Sequence, residues 1–252
     1  MNPKINEQFG SYLIDEDSRK LGLEDIRIFN FKKLLLKINS FVSHQKKLLE
    51  VGCAHGWFLN EAKDHFDVYG LEPDQSIFDS ILPLEMPIRL GYFPQILDVH
   101  EKFDIIVFND VIEHIPDISS ILESCNQHLN QNGLLVLNLP STNGIFYSIS
   151  KILCRFGCYG MFERLWQKDF PSPHLHYLNK INLVKLLVKK GFDVRSKGSL
   201  STLVYAGIFS RIFHTNELSF FTASVIYLCA IFFLPALKIL PSDIIYVISE
   251  KK

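Results

Sequence analysis

Between residues 46 and 140, short apolar runs alternate with amphipathic segments, and this alternation constrains the fold more than any other feature. KKLLEV (46–51), DVYGLE (67–72), IRLG (88–91), FDIIVFND (103–110) and GLLVLNLP (133–140) read as strands. WFLNEAKDHF (57–66), QSIFDSIL (75–82) and ISSILESCNQHLN (118–130) read as helices, with Gly133 as a stop signal after the last. Strands that are apolar almost throughout are covered on both faces. Alternation of such strands with helices implies an α/β chain with a mostly parallel sheet. Upstream, Leu21, Leu23, Ile26, Ile28, Phe29, Phe31, Leu34, Leu35, Ile38 and Phe41 recur at helical spacing and predict one or two helices over 18–43. Downstream, INLVKLLVKKGF (181–192) predicts a helix with Asn179 as its N-cap. FDVRSKGSL (192–200) and SDIIYVISEKK (242–252) predict two further strands. The chain divides into an N-terminal arm and helical cap (1–43), a core (44–203), a hydrophobic insertion (204–241) and a final strand (242–252).

In such a sheet, ligands bind beyond the carboxyl ends of the strands. The first strand runs into LLEVGCAHGWFL (48–59). Gly52 and Gly56 allow a tight turn and close approach of a ligand, and the following helix offers backbone N–H groups. The dinucleotide pattern GxGxxG does not fit, because Ala54 and Trp57 fill two of its three glycine positions. Glu50, just before the turn, would repel a pyrophosphate and suit a ligand carrying an ammonium group. S-adenosylmethionine (SAM) has an ammonium, a sulfonium and no phosphate.

The run Glu50-Val51-Gly52-Cys53-Ala54-His55-Gly56 resembles the E/D-x-G-x-G-x-G loop of the class I SAM-dependent methyltransferases, close to the small-molecule and quinone-biosynthesis type. Ala54 stands where the middle glycine is usual. GLEPDQS (70–76), FDIIVFND with VIEHIPD (111–117), and LNQNGLLVLNLPS (129–141) follow in the family's order. The resemblance implies a Rossmann-like, seven-stranded sheet, mostly parallel with its last strand antiparallel. It implies SAM as cofactor, with Glu50, Gly52, Cys53, Ala54 and Gly56 around the methionine moiety. Glu72 and Pro73 would lie at the ribose, Gly91 and Tyr92 at the adenine, and Asn109 and Asp110 near the sulfonium.

The acceptor-selecting segment should follow the fifth strand. Residues 141–179 are aromatic and basic, with Phe146, Tyr147, Phe156, Tyr159, Phe162, Trp166 and Phe170. They suit either a ring-lined acceptor pocket or a helical cap whose aromatics simply pack. His114, His174 and His176 are the candidate general bases, since imidazole titrates near neutral pH. His174-x-His176 has no Asp, Glu or Cys at ligand spacing, so no metal is expected.

Formal net charge is −1, and no nucleic acid is expected as a partner. The charge is unevenly spread: residues 61–123 hold three Lys/Arg against fourteen Asp/Glu, and 145–215 hold eleven against three. Five scattered cysteines without a CxxC pair read as reduced thiols, and the N-terminus shows no secretory h-region, which together suggest a cytoplasmic chain. LSFFTASVIYLCAIFFLPAL (218–237) carries no charge and is of bilayer-spanning length. Because strands are expected on both sides of it, one complete crossing is topologically forbidden. A re-entrant or surface-lying helical hairpin on the cytoplasmic membrane face near Arg211 and Lys238 is expected, with a true membrane span that displaces the tail, or burial as in a homodimer interface, as the alternatives. The expected activity is methylation of an oxygen on a small-molecule, lipid-linked, quinone-like or glycan acceptor. A non-catalytic SAM-fold binding protein and a nicotinamide-dependent reductase are the alternatives.

Overall fold

The structure, a computed structural model, describes residues 16–42, 45–202, 212, 219–237 and 239–252. Its seven strands are β1 (Lys47–Val51), β2 (Asp67–Glu72), β3 (Ile88–Leu90), β4 (Phe103–Asn109), β5 (Leu129–Pro140), β6 (Phe192–Leu200) and β7 (Ile244–Lys251). They form one sheet in the order β3-β2-β1-β4-β5-β7-β6. Neighbours from β3 to β5 pair in parallel, and β7 inserts antiparallel between β5 and β6. This is the Rossmann-like class I methyltransferase sheet that the motif order implied. The chain winds outward in both directions from β1 and β4, and their carboxyl ends open a crevice.

The apolar runs are explained by two cores. Ile106 and Phe108 of β4 face one, with Leu122 and Cys125 of α4 (Ile118–His128) and Leu183 and Leu187 of α7 (Lys180–Lys189). Ile105 and Val107 face the other, with Phe31, Leu34 and Ile38 of α1 (Glu16–Asn39) and Phe58, Leu59 and Ala62 of α2 (Trp57–Ala62). Successive side chains enter opposite cores. The remaining α-helices among the described residues are α3 (Gln75–Ile81), α5 (Ile145–Arg155), α6 (Gly160–Leu165) and α8 (Phe220–Leu237).

The one or two helices expected over 18–43 are one, Glu16–Asn39. The helix expected to reach residue 130 stops at His128, and β5 begins at Leu129. A register shift between Phe103 and Ile105 of β4 accommodates the early start. Gly133 therefore lies inside the strand instead of ending a helix. Asn179 caps α7 as expected, its Oδ1 accepting from the amides of Ile181 and Asn182 at 2.9 and 3.0 Å.

Leu200 pairs with Ile244, so the segment between β6 and β7 leaves and returns at the same edge of the sheet. Its described helix, α8, contains Pro235 within it. No helix among the described residues is long and apolar enough to cross a membrane. Arg211, Lys238 and the arm before residue 16 lie outside the described residues.

Candidate cofactor and acceptor site

Three polar side chains link the carboxyl ends of three adjacent strands. Asn109 at the end of β4 donates its amide to Oε1 of Glu50 on β1 at 2.8 Å. Asn138 of β5 donates to Oδ1 of Asn109 at 3.3 Å. All three are buried, and Glu50 Oε2 and Asn138 Oδ1 have no partner. Burial pushes the Glu50 carboxyl up to about 8, against the lowering effect of the Asn109 bond and of Arg27. Two buried acceptors without donors suit a ligand that brings N–H groups and positive charge.

Glu72 on β2 is also buried, but both its oxygens are engaged. Oε2 accepts from the Ala54 amide at 2.8 Å and Oε1 from the Asp74 amide at 2.9 Å. The carboxylate thus ties the glycine loop to the end of β2, and each oxygen retains a lone pair for a ligand hydroxyl. Burial raises its pKa against these two bonds.

The loop has the backbone that the glycines implied. Gly52, Ala54 and Gly56 have φ of 70°, 45° and 71°. A Cβ on Gly52 would stand 2.7 Å from Val111 Cγ2, so the loop and the segment after β4 approach closely. Ala54 takes the left-handed conformation that the usual glycine would adopt freely, and the loop is intact despite the substitution. Cys53 is buried, and burial together with Glu50 pushes its thiol up, so it contributes packing and backbone.

Helix α1 covers this crevice. Arg27 donates to Asp110 Oδ2 at 3.3 Å. Together with Asn30, Asn138 and Ile244 they line a cavity of about 190 Å³. Arg27 is the only side chain of α1 among these that carries charge, and it lies near enough to Glu50 and Glu113 to lower both carboxyls.

A second cavity, of about 420 Å³, lies within the cap and is lined by Tyr159, Phe162, Glu163, Trp166, Lys168, Pro173 and His174. Tyr147 stacks on Tyr177 at 4.9 Å, and Tyr177 lies 4.6 Å from Trp166. The rings therefore both pack against each other and wall a pocket. Phe156 is exposed and joins neither. The cap is fixed to the core through the Glu113 carbonyl, which accepts from the amides of Leu175 and His176 at 2.8 and 3.1 Å.

That contact brings two of the candidate histidines together and leaves out the third. The rings of His114 and His174 stand 4.7 Å apart. Burial and the neighbouring His114 lower His174 to about 4, which keeps its ring neutral. His176 instead lies against the Pro116 carbonyl at 3.2 Å. Beside the pair, Glu113 is fully buried with neither carboxylate oxygen partnered, and burial and Asp110 raise its pKa well above the usual range. Of the other expected residues, Gly91 ends β3 with its amide on the Glu72 carbonyl, whereas Pro73 and Tyr92 are exposed at the rim.

Arg27, Glu113, Asn138 and Tyr177 were not singled out by the sequence. Asn138 had a signal, an amide inside the apolar run GLLVLNLP. Glu113 stood in VIEHIPD, but nothing in that run shows that it is buried.

A sequence profile of the methyltransferase-domain family matches residues 26–197. The mitochondrial ubiquinone biosynthesis O-methyltransferase of Bos taurus is 26% identical over 196 residues, covering 69% of this chain and 50% of that protein. The ubiquinone biosynthesis O-methyltransferase of Azorhizobium caulinodans is 27% identical over 101 residues, covering 36% and 39% respectively. This chain thus spans half or less of the length of these curated relatives. Among solved structures, a SAM-dependent methyltransferase from Thermotoga maritima superposes with a TM-score of 0.61 at 14% identity, covering 99% of both chains. One from Archaeoglobus fulgidus gives 0.57 at 15%, covering 91% of this chain and 97% of that one. At such identities the superpositions speak for the fold alone.

Proposed function

The chain belongs to the methyltransferase-domain family, and we propose that it is a SAM-dependent methyltransferase that methylates a hydroxyl oxygen of a lipid-linked or quinone-like acceptor. The observation that carries the acceptor reading is the aromatic cavity in the cap, lined by Tyr159, Phe162, Trp166 and His174. The names of the relatives agree with an oxygen acceptor.

The residues fit SAM by their donor chemistry. The unpartnered oxygens of Glu50 and Asn138 would take its ammonium group, and Arg27 its carboxylate. Glu72 would accept from the ribose hydroxyls with its remaining lone pairs, and Gly91 and Tyr92 would border the adenine. When bound, SAM supplies a methyl group on a positively charged sulfur, which is electrophilic without further activation. The chain then has to position an oxygen in line and keep water away, and positioning alone removes much of the barrier. Tyr159, Phe162 and Trp166 offer the apolar surface that would order a ring or isoprenoid chain. His174 lines the cavity wall and would face the hydroxyl, and Glu113 and His114 lie beside it.

We place the enzyme at the cytoplasmic surface of a membrane. On α8, Phe220, Phe221, Leu228 and Phe232 are all exposed, an apolar surface that suits the headgroup–acyl boundary. Co-sedimentation with vesicles tests this, and a chain that stays in the supernatant contradicts it. The activity is tested with methyl-tritiated SAM over a membrane-lipid extract. Label in an extractable lipid, lost on alkylating its free hydroxyls beforehand, supports the reading. Label only in water-soluble or amine products contradicts it.

A further inference from the structure

Asn30 is a buried amide in the middle of a helix. Ile26 and Leu34, a turn before and a turn after it on α1, are buried, and Asn30 itself is 4% exposed. Asparagine is a poor helix former, and burying its amide is costly unless hydrogen bonds replace water. In sequence it reads only as a break in an apolar face.

Both bonds go to one distant residue. Asn30 Nδ2 donates to the Ser201 carbonyl at 2.9 Å, and its Oδ1 accepts from the Ser201 amide at 2.9 Å. The two bonds run in opposite directions, so the side chain pairs with Ser201 as a strand neighbour would, and they settle which end of the amide is oxygen. One turn further along the helix, Lys33 donates to the Ser199 carbonyl at 3.2 Å. Helix α1 is thus tied to the end of β6.

Ser201 follows the last residue of β6, where the apolar insertion leaves the sheet. The two roots of that insertion are joined to each other. Thr202 Oγ1 accepts from the Asp243 amide at 3.1 Å, and the Ser242 hydroxyl donates to the Leu200 carbonyl. Thr202 and Ile244, one at each root, line the crevice cavity together with Arg27 and Asn30. Arg27 lies one turn before Asn30, on the same side of α1. Its ion pair with Asp110 is 31% and 29% exposed at its two ends and contributes little to holding the helix. Apolar packing is non-directional. The buried pair of bonds at Asn30 therefore fixes what neither of those does: the rotation of α1 about its axis.

We propose that Asn30 is a positioning residue of the cofactor site. Resting on the reading that Arg27 meets the SAM carboxylate, its role is to clamp α1 to Ser201 and so hold the guanidinium over the crevice. The same clamp makes the neck of the apolar insertion one wall of the cofactor site. Asn30 acts through Arg27 and not by touching the cofactor.

The test is a double-mutant cycle on the full chain, read by equilibrium SAM binding. Asn30→Ala should weaken SAM about tenfold, and the double variant with Arg27→Met should be less than about twofold weaker than Arg27→Met alone. Leu187→Ala, on the buried face of α7, should lower the melting temperature without weakening SAM, which separates positioning from loss of stability. Asn30→Asp gives a second route should Asn30→Ala not fold. A protonated carboxyl can make both bonds to Ser201, whereas an ionised one has no proton for the carbonyl. Relative to the wild type at the same pH, Asn30→Asp should bind SAM equally at about pH 5 and at least tenfold more weakly at about pH 8. Additive losses from Asn30→Ala and Arg27→Met would put Asn30 in direct contact with the cofactor and overturn the proposal. A pH-independent ratio for Asn30→Asp would overturn it as well. Normal affinity in Asn30→Ala beside a weakened Arg27→Met removes this inference and leaves the proposed function standing. The expected cycle in a chain that methylates only amines does the reverse.

Discussion

Asn109 holds one oxygen of Glu50 at 2.8 Å and leaves the other buried and unpaired. The bond fixes the carboxylate in one orientation across the gap between β4 and β1. The empty lone pairs mark where an incoming cation would sit. Under the proposed function, a bound cation would complete this buried carboxyl.

The ligand-free protein should lose stability as pH rises from about 5 to about 8. Glu50 is raised from 4.5 to about 8 in the folded chain. Between those values the folded state holds a proton that the unfolded state has released. Unfolding then becomes easier with each step up in pH. At about 1.4 kcal/mol per pKa unit, the span is on the order of 3–5 kcal/mol. Urea titrations at pH 5 and pH 8 measure it, and Glu50→Gln should flatten the difference. An unchanged pH dependence in that variant contradicts the assignment.

SAM binding near pH 7 should release close to one proton, because an ammonium beside Glu50 favours its ionised form. Calorimetry in buffers of different ionisation enthalpy reads the proton count. A count of zero, with normal affinity, means that Glu50 does not face the cofactor.

Arg27→Met should weaken SAM about tenfold, or about 1.4 kcal/mol, with a smaller effect on folding. Its partner Asp110 is about 29% exposed, so the ion pair itself contributes little to stability. Equilibrium binding set beside a urea curve separates the two effects. Equal affinity would remove Arg27 from the site.

Ala54→Gly should be neutral or stabilising by up to about 1 kcal/mol. The left-handed backbone at Ala54 costs roughly 1–2 kcal/mol for an L-residue, and glycine's extra freedom in the unfolded chain offsets part of that gain. Ala54→Val should cost about 1–3 kcal/mol and loosen SAM binding. Destabilisation by glycine would mean that the Ala54 methyl group packs where the loop geometry gives it no role.

Asp243→Ala should cost about 2 kcal/mol by uncapping α5. Asp243 Oδ1 accepts from the Tyr147 amide at 2.9 Å and Oδ2 from Phe146 at 3.2 Å. A Cβ on Gly144 would stand 2.1 Å from Oδ1, so the glycine admits a cap from the far end of the chain. Asp243→Asn should retain at least half of the stability in thermal melts, since Oδ1 can still accept.

The parts of this site that were legible in sequence are those that sit next to one another on it. Glu50, Gly52, Gly56, Glu72, Asn109 and Asp110 each end a strand or form its turn, and a buried parallel strand announces itself as an unbroken apolar run. Arg27 was hidden because a cation on an amphipathic helix reads as its solvated face. Glu113 and His174 were hidden as a pair because only the cap's hydrogen bonds to the Glu113 carbonyl bring them together. His174 and His176 look equivalent in His-x-His, and only the folded chain sends one to the cavity wall and the other to Pro116.

The most direct test is calorimetric titration of the wild type and of Glu72→Ala with SAM and with NADH. Glu72 bonds the Ala54 amide and is the residue we assign to the ribose, so SAM should bind the wild type at micromolar concentration and the variant at least tenfold more weakly, with NADH binding neither. Equal SAM affinity in the two proteins, or heat from NADH alone, would contradict the account.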